Sequence, residues 1–377
     1  MKRLLPVLLL ALLAPRPAAA EDVIKVGALL SVTGGASFLG GPEARTLELL
    51  VEELNAKGGL GGKKIQLLVK DTGGSPEKAV SFAKQLIEEE QVVAILGPST
   101  SGESMQVKPI AEAAKTPLLS CAAAESIVNP VARFVFKTAQ KDSDAALHIF
   151  QQLKKMGLSK VGLLTSNTGF GKAGKDQLEK LAPGAGIQIV VSEVYDKAAT
   201  DLTAEVTKLK AAGVQAIINW SIEPAQAIVI KNARQLGLTL PIFQSHGFAN
   251  IQYVKAAGAA AEGVMFPAGR IVVVESLPEK HPQRALLLGY KQAYEARYHE
   301  DVSGFGGHAW DAFQLLAQAI VKVGPDREKV RTAVEATQGF TGIGGIFNMS
   351  ATDHNGLDQS AFVMVTVKGG RFVPLEK

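Results

Sequence analysis

The chain has 377 residues, of which 47% are hydrophobic and 20% charged, and its formal net charge is +4. This length allows two or three ordinary domains, and the composition excludes collagen-like, low-complexity and disordered chains. A single cysteine, Cys121, excludes an intrachain disulfide and the zinc sites that need paired cysteines.

The first twenty residues have the parts of a secretory signal peptide. Lys2 and Arg3 precede an apolar run over 4–13, and Ala18 and Ala20 form an A-x-A cleavage site. The run is about half of the roughly 20 residues that a transmembrane helix needs. Cleavage after Ala20 leaves a net charge of +1, which is too small to indicate nucleic-acid binding. Because no cysteine follows the cleavage site, we expect a periplasmic protein without a lipid anchor.

Beyond Val23, short β-branched apolar runs alternate with helical patterns, as is typical of βαβ units and parallel sheets. The predicted strands of the first half are 23–30, 65–70, 92–96, 117–120 and 134–137. Those of the second half are 160–165, 187–191, 215–220, 241–244 and 263–266. Helical patterns follow at 282–298, 308–323 and 327–337, with short strands near 345–348, 361–367 and 371–373.

The two halves resemble each other in sequence. Residues 26–34 match 161–169 at six of nine positions, and 65–71 resemble 187–193 in the same order. The elements after 266 are too few for a third domain. We therefore predict an α/β fold of two doubly wound parallel-sheet lobes joined by a three-segment hinge. Lobe one comprises 23–139 plus 268–345, and lobe two comprises 140–267 plus 346–377.

A glycine-rich loop follows the predicted strand at 160–165. Gly169, Gly171 and Gly174 match G-x-G-x-x-G, and Glu193 lies where a ribose-binding acid is expected. Residues 166–168, however, separate the strand from the first glycine, whereas the dinucleotide fingerprint needs a tight turn at the strand end. The sequence favours a flexible cleft loop, with a nicotinamide-dependent dehydrogenase as the alternative.

A second loop, 97–102, joins the strand at 92–96 to a helical stretch. In an open α/β sheet, ligands bind beyond the carboxyl ends of the strands, so its hydroxyl and N–H groups are suited to a carboxylate. Ser101 has two possible roles, because the same hydroxyl can also cap the helix.

The other candidate motifs predict no enzyme, no cofactor and no metal site. A G-x-S-x-G nucleophile elbow is missing from the sequence, and the histidines form no H-E-x-x-H motif. The segment 353–358 lacks the closing glutamate of a calcium loop and is predicted to be a turn.

Several segments together resemble the periplasmic solute-binding proteins of the Leu/Ile/Val-binding type, which serve ATP-driven importers. The resemblance covers essentially the whole mature chain in the right order, and it implies a two-lobed fold with three crossovers. Its segments are IKVGALLSVTGGASFLG, NAKGGLGGKKIQLLVKD, ILGPSTSGES, PLLSCAAAE, HGFAN, SGFGGHAWDA and DHNGL.

The resemblance also implies site residues. Ser101 corresponds to the serine that holds the ligand carboxylate, Ala122 and Ala124 lie in the second anchoring loop, and Phe170 corresponds to the aromatic residue that covers the ligand. His246 stands where amino-acid binders have a glutamate for the ammonium group. The apolar pocket implied by the resemblance and the sequence consists of Phe38, Leu39, Phe170, Trp220, Ile222 and Phe248.

Three departures bear on the ligand. Ala124 replaces a threonine that assists the carboxylate, Ile222 replaces a tyrosine, and His246 replaces the glutamate. A buried ammonium without a carboxylate partner costs several kcal/mol, so the sequence favours a small hydrophobic or aromatic carboxylate or 2-oxo acid. A protonated His246, or its neutral N–H, would suit such an acceptor. A branched-chain amino acid is the alternative.

The expected mechanism is a clamp. The ligand carboxylate docks on Ser101 of lobe one, and closure brings Phe170 and His246 of lobe two over it. We expect a monomer that delivers its ligand to a membrane permease of an ABC importer. A sensor that binds the same ligand without transport is the other role that the sequence leaves open.

Overall fold

Apolar runs of the sequence form the strands, and the amphipathic stretches between them form helices that cover both faces of the sheets. The computed structural model describes residues 23–376. The predicted signal peptide, 1–20, lies outside these described residues. Within them, no helix has the length and apolar character needed to cross a membrane.

The first lobe is built on five parallel strands. Its elements up to residue 137 are β1 (Ile24–Leu30), α1 (Ser37–Ala56), β2 (Ile65–Asp71), α2 (Pro76–Lys84), β3 (Ile95–Leu96), α3 (Ser101–Ala113), β4 (Leu118–Ser120) and β5 (Val135–Lys137). The strand order is β2-β1-β3-β4-β5, a doubly wound arrangement.

The second lobe repeats this arrangement. Its elements up to residue 268 are α4 (Asp142–Lys155), β6 (Lys160–Ser166), α5 (Gly169–Ala185), β7 (Gln188–Tyr195), α6 (Thr203–Ala211), β8 (Ala216–Trp220), α7 (Ala225–Gln235), β9 (Ile242–Gln244), α8 (Ile251–Ala257) and β10 (Met265–Ala268). The parallel order β7-β6-β8-β9-β10 is the same as in the first lobe. The segments that match in sequence form equivalent strands, β1 with β6 and β2 with β7.

The remaining elements return to both lobes. They are α9 (Arg284–Tyr298), α10 (Gly304–Val323), α11 (Arg327–Glu335), β11 (Phe340–Thr341), β12 (Ile346–Phe347), β13 (Val363–Lys368) and β14 (Arg371–Pro374). Helix α10 packs on α1. Strands β13 and β14 extend the second sheet in antiparallel orientation next to β10. The predicted α/β fold with two parallel-dominated lobes is confirmed.

The lobes divide less simply near the end of the chain. Phe347, Met349 and Leu357 follow the predicted boundary at 345 but pack in the same core cluster as Leu47 of α1 and Leu316 of α10. After residue 345 the chain therefore stays with the first lobe for some distance and returns to the second sheet only at β13. The boundary residues themselves stay a prediction.

Candidate functional site

The carboxyl ends of the parallel strands face each other across the gap between the lobes. A cavity of about 730 Å³, here called the chamber, lies between them. Its walls are the loops that follow β1, β2 and β3 on one side and β6, β7 and β8 on the other. This is where ligands bind in open α/β sheets.

Five helices begin at the chamber. Their first residues or N-caps line it, namely Ala36, Pro76, Ser101, Gly169 and Ala225 of α1, α2, α3, α5 and α7. A helix N-terminus carries about half a positive charge and unpaired N–H groups. The chamber is therefore suited to an anion.

The Ser101 hydroxyl is not used to cap α3. The N-cap is Thr100, whose hydroxyl accepts from the Glu103 N–H in a capping box, so the capping role considered for Ser101 is wrong. Ser101 Oγ accepts from the Ala124 N–H at 3.2 Å, which leaves its own hydrogen to donate. The residue is 1% exposed and lines the chamber.

A second, small cavity of about 20 Å³ adjoins the chamber. Six predicted site residues line it, namely Leu39, Ser101, Ala122, Phe170, Ile222 and His246. Ser101, Phe170 and Ile222 also line the chamber, so the two cavities adjoin at these residues. The small cavity has room for about one water molecule, and a ligand body therefore needs the chamber or a wider opening of the lobes.

The lobes are closed on each other at two glycines. A Cβ on Gly169 of α5 would lie 2.8 Å from the Gly102 nitrogen of α3. The N-termini of these two helices, one from each lobe, thus meet directly beside Ser101. An anion bound beside this contact would offset the repulsion of the two helix dipoles.

His246 lies in an aromatic enclosure. Its ring centroid is 5.4 Å from that of Phe170, 5.6 Å from that of Trp220 and 5.5 Å from that of Phe362. Burial, with help from the charge of Lys137, lowers the pKa of His246 well below its usual value. The imidazole is therefore neutral near pH 7, and of the two forms that the sequence allowed, the structure favours the neutral N–H.

A buried carboxyl lies next to this histidine. Asp142 Oδ1 is 3.5 Å from His246 Nε2, and burial raises the pKa of Asp142 to about 7. Sequence reasoning did not predict this contact, which joins two residues about a hundred positions apart.

Three predicted pocket residues line neither cavity. Phe248 packs in the lobe core against Tyr253 and Phe266. Trp220 is fully buried, with its ring centroid 5.8 Å from that of Phe170. Phe38 packs edge-on against Tyr253 at 5.1 Å.

Phe38 and Trp220 therefore influence the cavities only through other residues. The Phe38 carbonyl accepts from Asn250 Nδ2 of the second lobe at 2.8 Å, which is a contact between the lobes. Trp220 supports the ring of Phe170, and Phe170 lines both cavities.

Sequence reasoning missed Glu223. This carboxylate is 7% exposed, lines the chamber, and its Oε2 accepts from Ser221 Oγ at 2.6 Å and the Ile222 N–H at 3.2 Å. It directly follows Ile222, so its position in the sequence was available as a signal. A buried carboxylate that the sequence reasoning did not expect therefore lines the chamber.

The glycines expected to lie in a flexible cleft loop instead form the first turns of α5, so the loop interpretation is wrong, and the glycines have packing reasons. A Cβ on Gly174 would strike the Trp220 indole, and one on Gly171 would strike the Ser166 carbonyl. Glu193 forms an ion pair with Lys208 at 2.8 Å. These contacts give the dinucleotide interpretation no support.

Comparisons with known proteins agree with the resemblance seen in the sequence. Residues 23–371 match the family described as periplasmic binding protein. The Leu/Ile/Val-binding protein homolog 7 of Brucella suis is 29% identical over 63% of this chain and 61% of that protein. The leucine-, isoleucine-, valine-, threonine- and alanine-binding protein of Pseudomonas aeruginosa is 26% identical over 87% of this chain and 86% of that protein.

A solved structure with a bound ligand is also similar. It is the branched-chain amino acid transporter substrate binding protein LivJ of Streptococcus pneumoniae in complex with isoleucine. The TM-score is 0.83 at 26% identity, covering 93% of this chain and 98% of that one.

Proposed function

The chain belongs to the periplasmic binding proteins, in the type that includes the Leu/Ile/Val-binding proteins, and from this premise we propose that it captures a small carboxylic acid with an apolar body for an ABC importer. The protein acts as a monomer and delivers its ligand to the membrane permease. Members of this family work outside the cytoplasmic membrane.

One observation supports a carboxylate as the ligand group that Ser101 binds. Ser101 has a buried hydroxyl whose hydrogen is free to donate, and it stands where the N-termini of α3 and α5 meet. A carboxylate accepts from this hydroxyl and from unpaired N–H groups of the first helical turn. Charge-assisted hydrogen bonds of this kind contribute about 1.5 to 3 kcal/mol each.

The neutral His246 supports a ligand with an oxo or hydroxyl oxygen. Neither ring nitrogen has a hydrogen-bond partner within the described residues, and both are buried. A neutral imidazole offers one N–H donor, which a 2-oxo group accepts. Leu39, Phe170 and Ile222 then contact the apolar body of the ligand.

A branched-chain or other hydrophobic amino acid is the second candidate. Glu223 favours it, because a buried carboxylate at the chamber wall is a partner for an ammonium group. The relatives from Pseudomonas aeruginosa and Streptococcus pneumoniae bind amino acids of this type by name.

Matched ligand pairs separate the two candidates. Isothermal titration calorimetry compares leucine with its 2-oxo acid, and phenylalanine with phenylpyruvate, so that only the amino group differs within a pair. Tighter binding of the 2-oxo acids supports the first candidate. Tighter binding of the amino acids, lost in Glu223→Gln, favours the second. If none of the four binds, the proposed function is wrong.

A further inference from the structure

We propose that the chamber accepts a ligand with a second acidic group at the end far from Ser101, and that Lys231 binds this group. The inference rests on the proposed function, because it takes the first carboxylate to lie at Ser101. It narrows the ligand class to dicarboxylates with an apolar middle.

The volume of the chamber exceeds the needs of a small monocarboxylate. A cavity of about 150 Å³ is enough to hold benzene, whereas the chamber measures about 730 Å³. Small side chains make this room on both sides. Gly35, Gly73 and Gly74 line it from the first lobe, and Ala198 and Ala199 from the second.

One face of α7 forms a long wall of the chamber. Pro224, Ala227, Ile228 and Lys231 line it at the spacing of a single helix face. At a rise of 1.5 Å per residue, this wall is about 10 Å long. It begins beside Ile222, which also lines the small cavity, and ends at Lys231. A ligand anchored at Ser101 can therefore extend along Ala227 and Ile228 toward a positive charge.

Lys231 is an uncompensated charge. It is half-buried, and it makes no hydrogen bond or ion pair with any residue in 23–376. The other lysine at the chamber, Lys197, is exposed and interacts electrostatically with Asp196 and Glu77. Of the two, Lys231 is the one that a ligand carboxylate would neutralise, and Lys197 provides a matched control.

The test is calorimetric titration of the mature protein with unbranched α,ω-dicarboxylates of increasing length and with monocarboxylates of equal carbon number. We expect diacids long enough to span about 10 Å to bind on the order of tenfold more tightly than their monoacid counterparts. Lys231→Met removes this preference and leaves monoacid binding unchanged. Lys197→Met keeps the preference.

Three results would overturn the inference. They are equal binding of diacids and monoacids, a diacid preference that survives Lys231→Met, and binding of monoacids only. In each case monoacid binding that depends on Ser101 keeps the proposed function intact. If neither series binds, or Ser101→Ala leaves every affinity unchanged, both the inference and the proposed function fail.

Discussion

At the scale of single residues, the site depends on which hydrogen-bonding groups the fold leaves unused. Thr100 and Ser101 are adjacent hydroxyl residues, and either could cap α3 by its position in the sequence. The structure gives the cap to Thr100, because the Glu103 side chain reaches back to it. The sequence held the signal that separates the two roles, because Thr100 is followed three residues later by Glu103, the spacing of a capping box, whereas Ser101 is followed by Ser104.

Ser101→Ala tests the free hydroxyl. The substitution removes one donor to the ligand carboxylate, so we expect affinity to fall on the order of tenfold to a hundredfold in calorimetric titrations. It also leaves the buried Ala124 N–H without its partner, which lowers the free energy of unfolding by about 1 to 3 kcal/mol. Ser126→Ala, at an exposed serine, is the control and should change neither quantity. Unchanged affinity in Ser101→Ala contradicts the anchor.

Asp311 predicts a pH dependence of stability. Its carboxylate accepts from the Ile343 N–H at 2.6 Å and the Gly344 N–H at 2.7 Å, which joins α10 to the segment between β11 and β12. Burial raises its pKa from 3.8 to about 8 in the fold. A carboxyl with a raised folded pKa stabilises the fold below its unfolded pKa, and this stabilisation is lost as the pH rises through the folded value.

Asp311→Asn isolates that contribution, because the amide does not titrate. We expect the unfolding free energy of the wild type to fall relative to that of the variant as the pH rises. Between about pH 5 and about pH 7 the change should be roughly 3 kcal/mol, at about 1.4 kcal/mol per unit. Urea denaturation at the two pH values measures it. A difference that does not move with pH means that Asp311 is ionised in the fold.

At the scale of elements, the strands and helices were predictable from periodicity, and most errors lie at their ends. The clearest case is α10, predicted from residue 308 but beginning at Gly304. Glycine has a low helix propensity, so the glycines at 304, 306 and 307 led to a predicted helix start that was too late. Tertiary packing overrides that preference, because a Cβ on Gly306 would strike Tyr290 and one on Gly307 would strike Ile343. Neither neighbour could be known from the sequence.

Gly174 gives an element-scale prediction within α5. A Cβ at this position would lie 2.0 Å from Trp220 Nε1, and Trp220 supports Phe170 at the cavities. We expect Gly174→Ala to lower the unfolding free energy by about 1 to 3 kcal/mol and to weaken ligand binding through the displaced ring. Chemical denaturation and calorimetry measure the two effects.

Gly184→Ala is the matched control on the same helix. Nothing lies within 4 Å of a Cβ there, so the alanine should leave binding unchanged and raise stability by up to about 1 kcal/mol. Equal effects of the two substitutions would show that the fit of Trp220 against α5 is not what requires Gly174.

At the scale of the whole molecule, the two-lobed architecture followed from the internal repeat, but the shape of the ligand site did not. The chamber is formed by six loops that lie far apart in sequence, and it exists only when the lobes face each other. Glu223 lines it from the turn before α7, and Lys231 lines it through the orientation of α7. Sequence spacing fixes which residues share a helix face, but not which face turns to the cleft.

Closure of the lobes gives the last prediction. Gly102 and Gly169 approach so closely that a side chain at 169 must push α3 and α5 apart. We expect Gly169→Leu to populate the open form, since a ligand that prefers the closed form must then supply the free energy of the clash. Affinity should fall at least about tenfold, and small-angle scattering of the ligand-saturated protein should give a larger radius of gyration than wild type.

Gly289→Leu, on an exposed face of α9 with nothing near its Cβ, should behave as wild type. Full affinity in Gly169→Leu would mean that ligand capture does not require the contact between these helices.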